Sequence, residues 1–84
     1  MKKVIIYTGP SCNYCDAAKR LLIRNNAIYN EINIATKKGA MDEMIAKANG
    51  KRTIPQIFFG DQHIGGYDEV RALEKENKLQ DLLK

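Results

Sequence analysis

Long apolar runs are missing from this 84-residue sequence. The N-terminal stretch Val4-Ile5-Ile6-Tyr7 is four residues, against about 20 for a membrane-spanning helix and about 7–15 for the core of a secretory signal. No membrane partner and no secretory leader are therefore predicted, and a cytoplasmic location is expected. Aromatic residues are scarce at 7%, and the basic residues behind the net charge of +4 are spread out, in pairs at Lys2-Lys3, Lys19-Arg20, Lys37-Lys38 and Lys51-Arg52. A nucleic-acid surface needs clustered cations interleaved with aromatics, so no nucleic-acid partner is expected. Internal repeats and low-complexity tracts are absent too. The length allows one modest core, and a single domain over residues 1–84 is expected.

Cysteine is also sparse, with only two, but these stand three apart in Cys12-Asn13-Tyr14-Cys15. They follow a strand-like run and precede a helix-like one. The first turn of a helix offers unpaired N–H groups and the positive end of the macrodipole, which together stabilise a thiolate. The second thiol lies about one turn later on the same face. A nucleophile with a resolving partner is the chemistry this spacing suggests. In a reducing compartment a vicinal pair is more often catalytic or metal-binding than structural. Structural zinc asks for about four ligands, and His63 is the one further ligand of the usual kind, some fifty residues away. No metal site is predicted.

The rest of the chain reads as alternating elements. Val4 to Tyr7 is a buried strand ended by Gly9-Pro10. Asn13 to about Arg24 is a helix with Ala18, Leu21 and Leu22 on one face, stopped by Asn25-Asn26. Tyr29 to Ile34 alternates as a half-buried strand. Met41, Met44, Ile45 and Ala48 mark the inner face of a second helix, closed by Asn49-Gly50. Pro55 opens a third strand, Gln56 to Phe59, and the Gly60-Asp61 turn leads to a fourth around Gln62 to Ile64. After Gly65-Gly66, Val70, Leu73, Leu79, Leu82 and Leu83 supply the buried side of one or two helices. The order is β-α-β-α-β-β-α, an α/β chain with a four-stranded mixed sheet flanked by helices. The first unit is expected to be parallel and right-handed. The cysteines then fall at the carboxyl end of the first strand, where open α/β sheets place ligand sites.

Three motifs in this order resemble the glutaredoxin family, in its short bacterial dithiol form: strand–Cys12-Asn13-Tyr14-Cys15–helix, Thr53-Ile54-Pro55-Gln56-Ile57-Phe58, and His63-Ile64-Gly65-Gly66-Tyr67-Asp68. The resemblance spans nearly the whole chain and implies a thioredoxin-like fold and glutathione-dependent thiol–disulfide exchange on protein disulfides and glutathionylated proteins. It implies Cys12 as nucleophile, Cys15 as resolving thiol, and glutathione as co-substrate, with no metal needed for this activity and a monomeric protein. Tyr14 would flank the glutathione site, beside Thr53. A cis Ile54–Pro55 bond would leave the Ile54 backbone free to pair with the cysteinyl part of glutathione as an added strand does. Gly66, Tyr67 and Asp68 would take the γ-glutamyl end through backbone donors and the Asp68 carboxylate.

Two positions depart from the family pattern. Asn13 stands where many members have proline, and Gly9 where many have lysine, three residues before the nucleophile. Arg52 is the candidate substitute for that cation. Asn13 keeps open an iron–sulfur carrier, in which Cys12 and glutathione from two subunits hold a cluster. A redoxin reduced by a flavoprotein reductase is the other alternative, against which Gly66-Tyr67-Asp68 argues. His63 reads as a strand residue with a satisfied ring nitrogen and not as a catalytic base, and Tyr7 and Tyr29 read as packing residues.

Overall fold

The central strand of the sheet is β1 (Val4–Thr8), whose alternate residues serve two different layers. Val4 and Ile6 face a cluster of 11 buried residues, while Tyr7, helped by Ile5, faces a cluster of four. The computed structural model describes all 84 residues. It adds α1 (Asn13–Arg24), β2 (Tyr29–Asn33), α2 (Ala40–Lys47), β3 (Gln56–Phe59), β4 (Gln62–Gly65), α3 (Tyr67–Lys75) and α4 (Leu79–Leu83). The strand order is β2-β1-β3-β4. β1 runs parallel to β2 and antiparallel to β3, which pairs antiparallel with β4. A mixed four-stranded sheet flanked by helices is thus present as expected.

Period-2 and period-3.6 patterns explain the two layers. Ala18, Leu21 and Leu22 of α1, Val70 of α3, and Leu79 and Leu83 of α4 close over Val4, Ile6, Ile57 and Phe59. On the other face Met44 and Ala48 cover Tyr7 and Phe58, with Ile32, Ile34 and Ile54 at the margin. There the Tyr7 hydroxyl donates to Glu43 Oε2 at 2.9 Å. Burial, reinforced by that carboxylate, pushes the Tyr7 hydroxyl up to about 12.

One open alternative is settled and two details differ from the sequence expectation. Of the one or two C-terminal helices expected, two form, giving β-α-β-α-β-β-α-α, because Asn77 adopts the left-handed conformation (φ 59°) and ends α3 as an αL cap does. Met41 is 41% exposed. The buried stripe of α2 runs through Ala40, Met44 and Ala48, which turns Met41 to the rim. β2 stops at Asn33 because the Asn33 side chain accepts the Ala35 N–H at 2.8 Å and starts a turn.

Candidate active site

β1 ends at Thr8, and the chain reaches α1 through Gly9, Pro10 and Ser11, with Ser11 in the left-handed region (φ 53°). At Gly9 the chain passes close to the mobile end of Ile54. A Cβ on it would lie 2.6 Å from Ile54 Cδ1, so any larger residue displaces the Ile54 side chain. Cys12 is then the N-cap of α1, with extended backbone, and its sulfur accepts the Cys15 N–H at 3.0 Å. A cysteine thus takes the position that Ser, Thr, Asp or Asn usually fills. The Asn13 and Tyr14 N–H groups, which open the helix, donate to no protein acceptor.

Cys12 and Cys15 are joined as a disulfide, Cα to Cα 5.2 Å. The two sulfurs are not equivalent. Cys12 is half-buried at the surface, whereas Cys15 is 1% exposed beneath it. Only the outer sulfur can be reached by an incoming disulfide. Cys12 Sγ lies 4.0 Å from the Ile54 carbonyl oxygen, and the Ile54–Pro55 peptide is cis. Neither the N–H nor the C=O of Ile54 has a backbone partner.

Beside the disulfide is an open cavity of about 270 Å³, lined by Tyr14, Thr53, Ile54, Pro55, Gly66, Tyr67, Asp68 and Glu69. Tyr14, 64% exposed, leans on Tyr67 with ring centroids 5.9 Å apart. The far wall is the N-terminus of α3. Here Gly66 is the N-cap, and with no side chain of its own it leaves the cap to Glu69, whose Oε1 accepts the Gly66 N–H at 2.7 Å. The N–H groups of Tyr67, Asp68 and Glu69 donate to no protein acceptor. The charged side chains on the lining are the carboxylates of Asp68 and Glu69. The groups on the lining that can meet an anion are therefore the first-turn N–H groups of the two helix termini.

Seven of the ten residues singled out from the sequence come together on that lining: Tyr14, Thr53, Ile54, Pro55, Gly66, Tyr67 and Asp68. Cys12 and Cys15 adjoin it. Two of the ten are placed differently from the rest. Arg52 is exposed and lies off the cavity lining, which begins at its neighbour Thr53. Gly66 lines the cavity, but its N–H is already spent on Glu69 and is not a free donor. Glu69 itself was not anticipated. Its spacing, three residues after the cap, is the capping-box signal that would have found it.

The helices that carry these two termini are clasped at their other ends. Glu74 of α3 takes two bonds from Arg24, at 2.8 and 2.7 Å, one from Asn25 Nδ2 at 2.7 Å and one from Arg71 at 3.2 Å. The Arg24 hydrogen bonds hold the Glu74 carboxyl down at about 2.

The sequence comparisons agree with this arrangement. The family model described as Glutaredoxin matches residues 4–64. The chain is 46% identical over 81 residues to Glutaredoxin 1 of Rickettsia prowazekii, covering 95% of this chain and 85% of that protein. The chain belongs to the glutaredoxin family. Among solved structures, the solution structure of glutaredoxin from Brucella melitensis is similar, with TM-score 0.86 and 49% identity over 100% of this chain and 90% of that one. The buckwheat glutaredoxin–glutathione complex is similar at TM-score 0.84 and 29% identity, over 95% of this chain and 74% of that one. The fold is thioredoxin-like, and the family is one of thiol–disulfide oxidoreductases, the chemistry for which the paired sulfurs are suited. No helix is long and apolar enough to cross a membrane.

Proposed function

We propose that this glutaredoxin reduces glutathione mixed disulfides and protein disulfides with glutathione as electron donor. The observation that carries the reading is the placement of one reachable sulfur, Cys12, at a helix cap beside a cavity whose opposite wall is a second helix terminus. The similarity to a structure solved as a glutathione complex supports it.

In the reduced protein the Cys12 thiolate keeps the Cys15 N–H and the α1 terminus as stabilising partners. It attacks the glutathione sulfur of a glutathionylated cysteine. The S–S bond breaks, the substrate thiolate leaves and takes a proton, and Cys12 carries glutathione. A second glutathione thiolate attacks that mixed disulfide, releasing oxidised glutathione and returning Cys12 to thiolate. In net, the glutathionylated protein and one free glutathione give the protein thiol and oxidised glutathione, whose other half is the substrate's own glutathionyl group. With a protein disulfide, Cys15 attacks the Cys12–protein bond instead, and the Cys12–Cys15 disulfide that results is reduced by two glutathiones.

Binding roles follow from the unspent backbone groups. The γ-glutamyl carboxylate would be taken by the Tyr67 and Asp68 N–H groups, and its ammonium by the Asp68 carboxylate. The Ile54 N–H and C=O would pair with the cysteinyl unit in strand fashion. Tyr14 and Tyr67 would flank it, with Thr53 and Pro55 forming the wall. All 84 residues would act as one monomeric unit, in a reducing compartment such as the cytoplasm. The deciding experiment is turnover of a glutathione mixed disulfide coupled to glutathione reductase and NADPH. Steady NADPH consumption dependent on the protein is expected; none, with a folded and fully reduced sample, would overturn the reading.

A further inference from the structure

Gln56 is a side chain that the thiol chemistry above does not use. It follows Pro55, opens β3, and is 1% exposed among apolar neighbours. A buried amide must find partners for both its ends, and this one does. Its Nε2 donates to the Thr53 carbonyl at 3.0 Å and to Thr53 Oγ1 at 3.1 Å. Its Oε1 lies 2.7 Å from His63 Nε2. A register shift between Ile57 and Phe58 sets Phe58 opposite His63, and their rings stack at 4.9 Å. The histidine is thus fixed from a second direction.

The polarity of this chain has one solution. A carbonyl oxygen only accepts, so the Gln56 NH₂ must face Thr53 and its oxygen must face His63. His63 Nε2 therefore carries a proton and donates. Because Thr53 Oγ1 accepts from Gln56, the Thr53 hydroxyl proton is left unspent on a residue that lines the cavity.

We propose that Gln56 is a positioning residue for the thiol site, held in one orientation by His63 and fixing in turn the Thr53 corner against which the glutathionyl group lies. This rests on the glutathione reading of the cavity. Its test is steady-state turnover of a glutathionylated peptide, with Cys12 alkylation by iodoacetamide and the thermal midpoint measured on the same samples. Gln56→Leu should raise KM about tenfold with kcat within about twofold, and leave alkylation unchanged. His63→Phe keeps a ring on Phe58 but removes the donor, and should raise KM about threefold. His63→Gln, whose amide can donate again, should restore it. The double variant should be no worse than Gln56→Leu alone, since both substitutions cut one chain. An unchanged KM in Gln56→Leu would overturn the proposal, as would KM effects that multiply in the double variant. So would a loss of turnover that tracks the thermal midpoint at constant KM. If Gln56→Leu does not fold, the two His63 variants decide: a rise with rescue supports the chain, and a flat KM defeats it. A parent protein inactive on the glutathionylated peptide would instead defeat the glutathione reading, and the positioning role with it.

Discussion

Two helix N-termini meet at one cavity, and they are capped by opposite kinds of group. At α1 the cap is Cys12, a sulfur that changes its covalent partner while it caps. At α3 the cap is the Glu69 carboxylate reaching back to Gly66, a group that stays. The first terminus spends its stabilising power on a nucleophile. The second spends one donor on its own chain and keeps the next three for whatever enters the cavity. One fold device, the unsatisfied first turn of a helix, thus serves chemistry on one wall and recognition on the other.

The comparison predicts that substitutions at α1 change rates while those at α3 change affinity. The largest effect is expected from Cys12→Ser, which should abolish turnover of glutathione mixed disulfides. Cys15→Ser should keep much of it, because free glutathione replaces the buried resolving thiol. Equal loss in the two variants, in the coupled reductase assay, would erase the distinction between outer and inner sulfur.

At α3, Asp68→Ala should raise KM for glutathionylated substrates by roughly one to two decades, the loss of a charge-assisted hydrogen bond of about 1.5–3 kcal/mol. Alkylation of Cys12 should not change. A slower alkylation with unchanged KM would assign the chemistry to the wrong helix.

Glu69→Ala removes the cap of α3 but not the reactive groups. It should cost about 0.5–1 kcal/mol in denaturant unfolding, toward the low end for a cap because water reaches the freed Gly66 N–H. Glu69→Gln, which still offers an acceptor, should recover most of it. No difference between the two would mean that the carboxylate does not cap.

The smallest effect tests what joins the helices. Glu74 titrates below its ordinary value of 4.5, at about 2, because Arg24 binds its ionised form. A carboxyl depressed in the folded state stabilises above its unfolded pKa, and that contribution fades as pH falls from about 4.5 toward about 2. Arg24 is half exposed, so solvent screening should hold the gain below about 1 kcal/mol. Glu74→Gln should flatten the acid limb of a stability–pH curve without altering it near neutrality by more than this amount. An unchanged acid limb would show that the clasp contributes nothing.

Local signals in the sequence were enough for much of this. Apolar spacing located α1 from Asn13 to Arg24 because its stripe, Ala18, Leu21 and Leu22, has a helical period. The strands β1 and β3 and the family motifs were legible for the same reason: short-range pattern and turn chemistry suffice to define them. Asn77 ended α3 by a local rule that is weak in isolation, since an αL asparagine is one option among several. Met41 was misplaced because a three-residue offset cannot say where a helix meets a sheet. That Arg52 lies off the lining was not legible, because adjacency in sequence does not say which way a side chain points.

By itself the sequence determined the element types, the site motifs and the family, since each is written in residue spacing. Only the tertiary structure decided which groups are spent on partners far along the chain: Gln56 Oε1 on His63 of the neighbouring strand, the Thr8 hydroxyl on Glu31, and the Tyr7 hydroxyl on Glu43. Hydrogen-bond valence is exclusive and acts across loops and neighbouring strands, so a donor's freedom depends on where its competitors are folded.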